Sequence, residues 1–300
     1  MVYHKPVLLK ESVDGLSIHS GGTYVDLTFG GGGHSREILS RLDNGKLIAF
    51  DQDADAELEA MKIKDNRFTF VRSNFRFFRN FLRYHGIERV DGILADLGLS
   101  SHHIDDPGRG FSFRKSGNLD MRMNKDASVT AVEILNSYSL EDLRKILRLY
   151  GEVGNAGRVA RAIVNAREKE HFRGVDDFIE SISAYIPARQ GNKFLAKIFQ
   201  ALRIEVNNEL DVLKHMLLQV LISLRKEGRL VVISYHSLED RIVKNFIRTG
   251  KSEGELDKDF FGNPLVPFEP LTRKAIVAGE EEVSNNTRAR SARLRIAKRN

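Results

Sequence analysis

The sequence predicts an α/β protein with a mostly parallel sheet, interrupted by an insertion that consists only of helices. Short apolar runs alternate with helical patterns over residues 23–97. A stretch with helical signals alone follows, and the alternation resumes after residue 205. Strands that alternate with helices form βαβ units and parallel sheets. We therefore predict a discontinuous α/β domain at residues 1–104 and 206–300, and a helical domain at 105–205.

The first part of the α/β domain contains four predicted strands and three predicted helices. The strand-like runs are apolar on both faces, which is typical of buried parallel strands. The strands are expected at TYVDLTF (23–29), KLIAFD (46–51), RFTFVRS (67–73) and VDGILADLG (90–98), and the helices at 34–42, 53–62 and 75–85.

The insertion is predicted from helix signals. SLEDLRKILRLYG opens with a capping box formed by Ser139 and Asp142, and it ends at Gly151. NAGRVARAIVNAREKE and VDDFIESISAYIP predict two further helices. The second part of the α/β domain is then expected to contain one long helix at 205–228, a strand at 229–235, a helix in SLEDRIVKNFI and a terminal strand in SARLRIAKR.

Composition excludes several classes of protein. The chain has no cysteine, which excludes disulfides, thiolate chemistry and cysteine-based zinc sites. No apolar run is long enough for a transmembrane helix, and charges interrupt the start of the chain, so we expect neither a membrane partner nor a signal peptide. These features predict a cytoplasmic protein.

Positive charge is concentrated near the end of the sequence. SNNTRARSARLRIAKRN (284–300) holds six Lys and Arg residues and no acid, which equals the whole formal net charge of +6, so residues 1–283 sum to zero. A basic segment on a neutral body suggests a polyanionic partner such as nucleic acid. A solvated tail without a partner is the alternative.

Four consecutive glycines stand between the first predicted strand and the following helix. In this position backbone amides can face a ligand, and glycine permits close approach. The dinucleotide fingerprint GxGxxG does not fit, because its third glycine would fall on Ser35 or Arg36. The pattern V-D-L-x-x-G-x-G from Val25 to Gly32 resembles the first motif of class I S-adenosylmethionine-dependent methyltransferases. We expect Gly30 to make the turn, and Gly32 and Gly33 to bring the backbone close to the cofactor.

Three more positions follow predicted strands. Asp51 can accept hydrogen bonds from both ribose hydroxyls, whereas Asp53 has the position of a helix N-cap. Phe75 can stack on adenine or belong to the core. Asp96 can face the methionine amino group or the sulfonium. No metal site is predicted, because the adjacent His102 and His103 point in opposite directions in an extended chain.

Several stretches in order resemble the bacterial ribosomal RNA small subunit methyltransferase H family (RsmH, also called MraW). They are TFGGGGHS, DLGLSSHHIDDPGRGFSF, LDMRM, FQALRIEVNNEL, YHSLEDRIVK and TRARSARLR. The resemblance implies S-adenosylmethionine-dependent methylation of the exocyclic N4 of a decoding-centre cytidine in 16S rRNA. It also implies an inserted helical domain that recognises the substrate. The cofactor contacts that it implies are Gly32, Gly33, His34, Asp51, Phe75, Asp96 and His103.

The nitrogen that accepts the methyl group is a poor nucleophile, because its lone pair is delocalised into the cytosine ring. A group that accepts an N4 hydrogen bond would direct the lone pair toward the methyl. The candidates are Asp96, Ser100, Ser101 and His236. His236 can instead be a helix-start residue before a Ser237 cap. The proline-containing stretch common in exocyclic-amine methyltransferases is absent here, and Tyr235 replaces a phenylalanine usual in the family, a change that we expect to be tolerated.

RNA contacts are expected in RGFSFRKSGNLDMRM (109–123), where aromatic and basic residues are interleaved. A loop folded over its own cofactor, with Phe111 and Phe113 as plugs, is the alternative. The expected partner is 16S rRNA or the 30S subunit, and a homodimer is compatible with the sequence. The rival functions are an NAD-dependent oxidoreductase, a methyltransferase of another nucleic acid, and a non-catalytic rRNA-binding assembly factor.

Overall fold

Seven strands form one sheet in the part of the chain that the structure, a computed structural model, describes: residues 6–100 and 104–300. The strand order is β3-β2-β1-β4-β5-β7-β6. Strands β1 to β5 are parallel, and β7 is antiparallel to both β5 and β6. This topology confirms the predicted class I methyltransferase fold. The strands are β1 (Thr23–Asp26), β2 (Lys46–Asp51), β3 (Phe68–Arg72), β4 (Val90–Asp96), β5 (Leu224–Ser234), β6 (Phe268–Pro270) and β7 (Arg293–Arg299).

In the described residues, twelve α-helices with defined bounds accompany the strands. None of them combines the length and the hydrophobicity that crossing a bilayer requires. In chain order they are α1 (Leu9–Gly15), α2 (Gly33–Ser40), α3 (Ala54–Ala60), α4 (Phe78–Tyr84), α5 (Ala131–Ser137), α6 (Leu140–Leu149), α7 (Ala156–Arg167), α8 (Val175–Ile182), α9 (Gly191–Asn207), α10 (Glu209–Ser223), α11 (Ser237–Thr249) and α12 (Glu280–Asn285).

The chain divides into a sheet unit, Met1–Gly98 with Leu210–Asn300, and a helical unit, Leu99–Glu209. The sheet unit buries both faces of its sheet. Val25 belongs to one apolar cluster, and the neighbouring Tyr24 belongs to the cluster on the other face. Successive side chains of a strand point to opposite faces, so a sheet covered on both sides needs apolar residues at every position. This explains the uninterrupted apolar runs.

The helical unit has a core of its own, and the loop expected to contact RNA contributes to it. Phe111 is buried in this core, and the ring of Phe113 packs edge-on against Phe199. The guanidinium of Arg109 is buried and donates to the backbone carbonyls of Arg122 and Met123 at 2.9 and 3.1 Å. Because Phe111 and Arg109 are buried, the RNA contacts predicted for this loop are wrong for these two residues.

The single helix predicted at 205–228 is wrong. Asn208 adopts a left-handed φ of 50° and ends α9, after which α10 begins. Arg203 binds both carboxylate oxygens of Glu209 at 2.8 and 2.9 Å across this break. Strand β5 also begins earlier than expected, with a register shift opposite the start of β4.

The basic end of the sequence is part of the sheet. Arg293 and Arg295 of β7 bind the carboxylate of Asp240 on α11, with distances of 2.6 to 3.2 Å. Nζ of Lys298 lies 3.1 Å from Oε2 of Glu227 and 2.9 Å from Oε2 of Glu269. The predicted strand is confirmed, and the alternative of a solvated tail is wrong for these residues, because acids from distant parts of the chain balance their charge.

We expect Asp240→Asn to lower the free energy of unfolding by about 3 kcal/mol, because it leaves the nearly buried Arg295 without its carboxylate. Burial alone would raise the pKa of Asp240, but the guanidinium groups outweigh it and lower the pKa. The ion pair therefore stabilises the fold above the ordinary carboxylate range and is lost as the pH falls through this lowered pKa. Urea unfolding at several pH values measures the effect.

The matched control is Arg173→Ala, which removes an ion pair with Glu170 whose side chains are 81% and 72% exposed. We expect a change below about 0.5 kcal/mol. An equal loss of unfolding free energy in the two variants would show that the Asp240 ion pair stabilises the fold no more than an exposed pair does.

Candidate active site

The four glycines after β1 form a tight turn, the glycine turn. Gly30 and Gly32 have positive φ angles of 52° and 74°, which glycine adopts without steric cost. A Cβ atom on Gly32 would lie 2.6 Å from Cζ of Phe29, and one on Gly33 would clash with the ring of Pro6. The protein's own packing therefore requires glycine at positions 32 and 33. Their closeness to a cofactor stays a prediction.

Asp26, at the end of β1, accepts hydrogen bonds from residues on both sides of the glycine turn. Its side chain is fully buried and accepts hydrogen bonds from Ser35 Oγ at 2.6 Å and from the backbone N–H of Thr28 at 3.1 Å. Burial raises the pKa of Asp26 to about 6, although these two donors oppose the rise. The sequence alone predicts no role for this residue.

Asp51, at the end of β2, contacts the same turn from the neighbouring strand. Its Oδ2 accepts the N–H of Gly30 at 2.8 Å, and its Oδ1 accepts the N–H of Asp53 at 2.9 Å. Asp53 caps α3 by accepting the N–H of Asp55 at 3.1 Å, as predicted. Asp51 thus joins the glycine turn to the β2–α3 connection, and its contact with a ribose stays a prediction.

Phe75 begins a short 3-10 turn after β3. Its side chain is half-buried and packs against the apolar core of the sheet unit. The preceding Asn74 caps this turn and donates to Gln52 Oε1 at 2.9 Å, which connects the ends of β2 and β3. Phe75 therefore has both a core-facing contact and exposed surface, and stacking on adenine stays a prediction.

Asp96, at the end of β4, has the most unusual surroundings. Its Oδ1 accepts the hydroxyl of Tyr235 at 2.8 Å, and its Oδ2 lies 3.8 Å from Nδ1 of His34. Its backbone N–H donates to Thr28 Oγ1 at 2.7 Å. The side chain of Asp96 is 21% exposed, whereas that of His34 is 6% exposed. A carboxylate oxygen is thus held beside the glycine turn with limited access to water.

The pKa values of this group are shifted by burial. Burial raises the pKa of Asp96 to about 7; the charges of Asp26 and Glu239 add to the rise, and the hydrogen bond from Tyr235 opposes it. Burial also raises the pKa of Tyr235 well above its ordinary range and lowers the pKa of His34 to about 4. At neutral pH His34 is therefore uncharged, Tyr235 is a hydrogen-bond donor, and Asp96 is poised between its two protonation states.

His236 is the N-cap of α11, so the prediction that Ser237 is the cap is wrong. Its Nδ1 accepts the N–H of Glu239 at 3.5 Å, and its Nε2 lies 3.1 Å from a carboxylate oxygen of Glu239. Glu239 is buried and also accepts the backbone N–H of Tyr235 at 2.9 Å. The helix-start alternative for His236 is confirmed, and a role in catalysis stays a prediction.

The structure does not test three of the predicted site residues. Ser101 and His103 lie outside the described residues, as does His102. Ser100 is half-buried and belongs to the helical unit. Their predicted roles stay predictions.

The carboxyl ends of β2, β1 and β4, which are neighbours in the sheet, each carry an aspartate. Within the described part of the chain, neither Asp26 nor Asp96 has a Lys or Arg partner, and the nearby His34 is neutral at pH 7. Carboxylates without a balancing cation favour a positively charged ligand. The arrangement suits a small cation that contacts the glycine turn.

A separate cleft of about 560 Å³ lies at the opposite edge of the sheet. Thr23 and Lys46, the first residues of β1 and β2, line it together with Arg225. Ligands of open parallel sheets bind outside the carboxyl ends of the strands. Because the cleft lies at the amino ends, it is not the candidate active site.

Comparison with known proteins decides the family. The sequence model of the MraW methylase family matches residues 1–300. The chain belongs to this family. It is 58% identical to the ribosomal RNA small subunit methyltransferase H of Phocaeicola vulgatus over 99% of this chain and 98% of that one. The protein of the same name from Flavobacterium johnsoniae is 54% identical over 100% of this chain and 98% of that one.

Among solved structures, an rRNA methylase from Streptococcus thermophilus aligns with this chain. It has a TM-score of 0.41 and 11% sequence identity to this chain, with coverage of 100% of this chain and 98% of that one.

The sequence alone does not identify three groups of this cluster: Asp26, Glu239 and the hydroxyl of Tyr235. Asp26 stands inside the V-D-L motif, so the motif itself was a signal for it. Glu239 follows the helix N-cap by three residues, which is the capping-box spacing. For Tyr235 no local signal exists, because its partner Asp96 lies 139 residues away in the sequence.

We expect Gly32→Val to lower the melting temperature and to abolish cofactor binding, because valine is strained at a φ of 74° and would clash with Phe29. Thermal unfolding and calorimetric titration with S-adenosylmethionine measure the two effects. Gly30→Ala is the control, since a Cβ there would meet nothing within 4 Å. We expect it to lose only about 1–2 kcal/mol of stability. Normal affinity in Gly32→Val would contradict a role of the turn in binding.

Proposed function

We propose that this protein transfers the methyl group of S-adenosylmethionine to the exocyclic N4 of a decoding-centre cytidine in 16S rRNA. The family and the names of the full-length relatives support methylation of small-subunit rRNA. The observation that carries the proposal is Asp96, whose partly exposed carboxylate lies beside the glycine turn with no Lys or Arg partner in the described chain. The choice of the N4 position comes from the family resemblance of the sequence.

S-adenosylmethionine is the cofactor of the family, and the residues present fit it. The sulfonium and the amino group are cations, which the aspartates at the strand ends favour. Asp51 would hold the ribose and Phe75 the adenine. Gly32, Gly33, His34 and Asp96 would hold the methionine end, and the resemblance adds His103. The bound cofactor supplies an activated methyl group, so the protein must align the reacting atoms and exclude water.

The proposed task of Asp96 is to accept a hydrogen bond from the cytidine N4 amine. This contact directs the nitrogen lone pair away from the ring and toward the methyl group. An ionised carboxylate is a strong acceptor, and a group with a pKa near the working pH can also take the proton that methylation releases. Ser100, Ser101 and His236 are the alternative acceptors.

The proposed substrate is the 16S rRNA itself or the assembled 30S subunit, which places the enzyme in the cytoplasm. We propose that the helical unit recognises the RNA. Arg158 and Arg161 are exposed on α7, and no ion pair with an acid is formed by either within residues 6–100 and 104–300. The arginines of β7, by contrast, are engaged inside the sheet unit.

We expect Asp96→Asn to reduce methyl transfer from labelled S-adenosylmethionine to 30S subunits by about 10²–10⁴-fold, the usual contribution of a general base. The control is Asp91→Asn, the same change on the same strand. Asp91 lies at the opposite end of β4, where it binds Arg225 at 2.8 Å. We expect the control to keep its rate within a few-fold of wild type. Near-normal transfer by Asp96→Asn would exclude this residue as the acceptor.

The proposed function itself is tested with the wild-type enzyme. Purified 30S subunits, free 16S rRNA and DNA compete as methyl acceptors, and the product nucleoside is identified by mass spectrometry. We expect N4-methylcytidine in 16S rRNA. Transfer to DNA instead would support a methyltransferase of another nucleic acid, and binding without transfer to any acceptor would support an assembly factor.

We expect the double variant Arg158→Ala, Arg161→Ala to bind rRNA more weakly and with less salt dependence. Each lost phosphate contact reduces the slope of log K against log salt by about 0.7–0.9. Filter binding between low and moderate salt measures the slope. An unchanged slope would exclude α7 from the RNA contact.

A further inference from the structure

We propose that Tyr235 is a positioning residue for methyl transfer: its hydroxyl holds Oδ1 of Asp96 and leaves Oδ2 to accept the hydrogen of the cytidine amine. The inference rests on the proposed function, because it assigns a task to Asp96 in that reaction.

The geometry fixes Tyr235 at three points. Its backbone N–H donates to Glu239 at 2.9 Å, and its hydroxyl donates to Asp96 Oδ1 at 2.8 Å. Its ring lies against Gly98, where a Cβ atom would be 3.0 Å from Cδ2 of the tyrosine. Gly98 has a φ of 111°, a conformation that favours glycine. The ring therefore has little freedom to turn away from Asp96.

Asp96 is fixed from its other side by its own backbone. Its N–H donates to Thr28 Oγ1 at 2.7 Å, and its strand pairs with β5, where Ile233 stands two residues before Tyr235. Because hydrogen bonds hold both the main chain and Oδ1 of Asp96, the position of Oδ2 is also fixed. Oδ2 lies 3.8 Å from Nδ1 of His34, whose ring is neutral at pH 7.

The hydrogen bond also affects the charge of Asp96. A donor stabilises the ionised carboxylate, whereas the neighbouring acids Asp26 and Glu239 favour the protonated form. Tyr235 faces Asp96, Glu239 and Glu282, and these acids together with burial keep its hydroxyl protonated. Removing the hydroxyl therefore raises the pKa of Asp96 above its value of about 7.

The test is Tyr235→Phe, compared with wild type in pH–rate profiles of methyl transfer to 30S subunits. We expect the acid limb of kcat/KM to move about one unit to higher pH, which is a roughly tenfold lower rate on that limb. We expect kcat at neutral pH to fall, because a smaller fraction of Asp96 is then ionised. A merely structural role would lower activity equally at all pH values.

The matched control is Tyr138→Phe in the helical unit. The Tyr138 hydroxyl donates to Glu205 Oε1 at 2.8 Å, so the same hydrogen bond to a carboxylate is lost without a change at Asp96. We expect its profile to coincide with that of wild type. An equal shift in both variants would overturn the inference.

A second measurement does not depend on turnover. The carboxyl ¹³C resonance of Asp96, assigned by its loss in Asp96→Asn, is titrated in the protein without substrate. We expect a midpoint about one unit higher in Tyr235→Phe than in wild type; coincident midpoints would overturn the inference. If wild type makes N4-methylcytidine and both measurements are unchanged by Tyr235→Phe, only this inference fails. If wild type makes none, the proposed function fails with it.

Discussion

The buried carboxylate of Asp26 connects the elements on which the candidate site depends. It lies at the end of a central strand and receives hydrogen bonds from Thr28 and from Ser35 in the first turn of α2. The hydroxyl of Thr28 in turn accepts the backbone N–H of Asp96. A buried carboxylate is costly unless its oxygens are satisfied. The glycine turn, α2 and the end of β4 therefore keep one arrangement, and a cation bound among these acids would also help to offset the cost of burying them.

Much of the sheet unit could be predicted because its signals are local. A strand covered on both faces must be apolar throughout, and the chain must return by a helix to stay parallel. β2 was accordingly predicted with its observed bounds, 46–51. The break at Asn208 could not be predicted in this way. Asparagine is tolerated both in helices and in the left-handed conformation that ends them, so only the surrounding structure decides between the two.

Topology alone predicts which residues stand at the ends of the strands, whereas their roles in a site stay predictions. Asp51 and Asp96 were predicted at the ends of two strands, and they end β2 and β4. What those carboxylates contact could not be deduced, since the partners come from distant segments. We expect tyrosine at position 235 to be tolerated, and the structure shows that its hydroxyl also donates to Asp96. The charges of Arg293 and Arg295 indicated a polyanion, whereas Asp240 of α11 balances them.

The position of β7 has a consequence for synthesis. This strand is the last of the seven in the chain, yet it lies between β5 and β6 in the sheet. While the ribosome still holds β7, the flank of β5 that faces it has no hydrogen-bonding partner and β6 has no strand to join. An unpaired strand edge is a template for pairing with other chains. The nascent protein therefore carries an open edge until β7 has emerged, so the pairing of β5 and β6 with β7 follows the synthesis of the other six described strands.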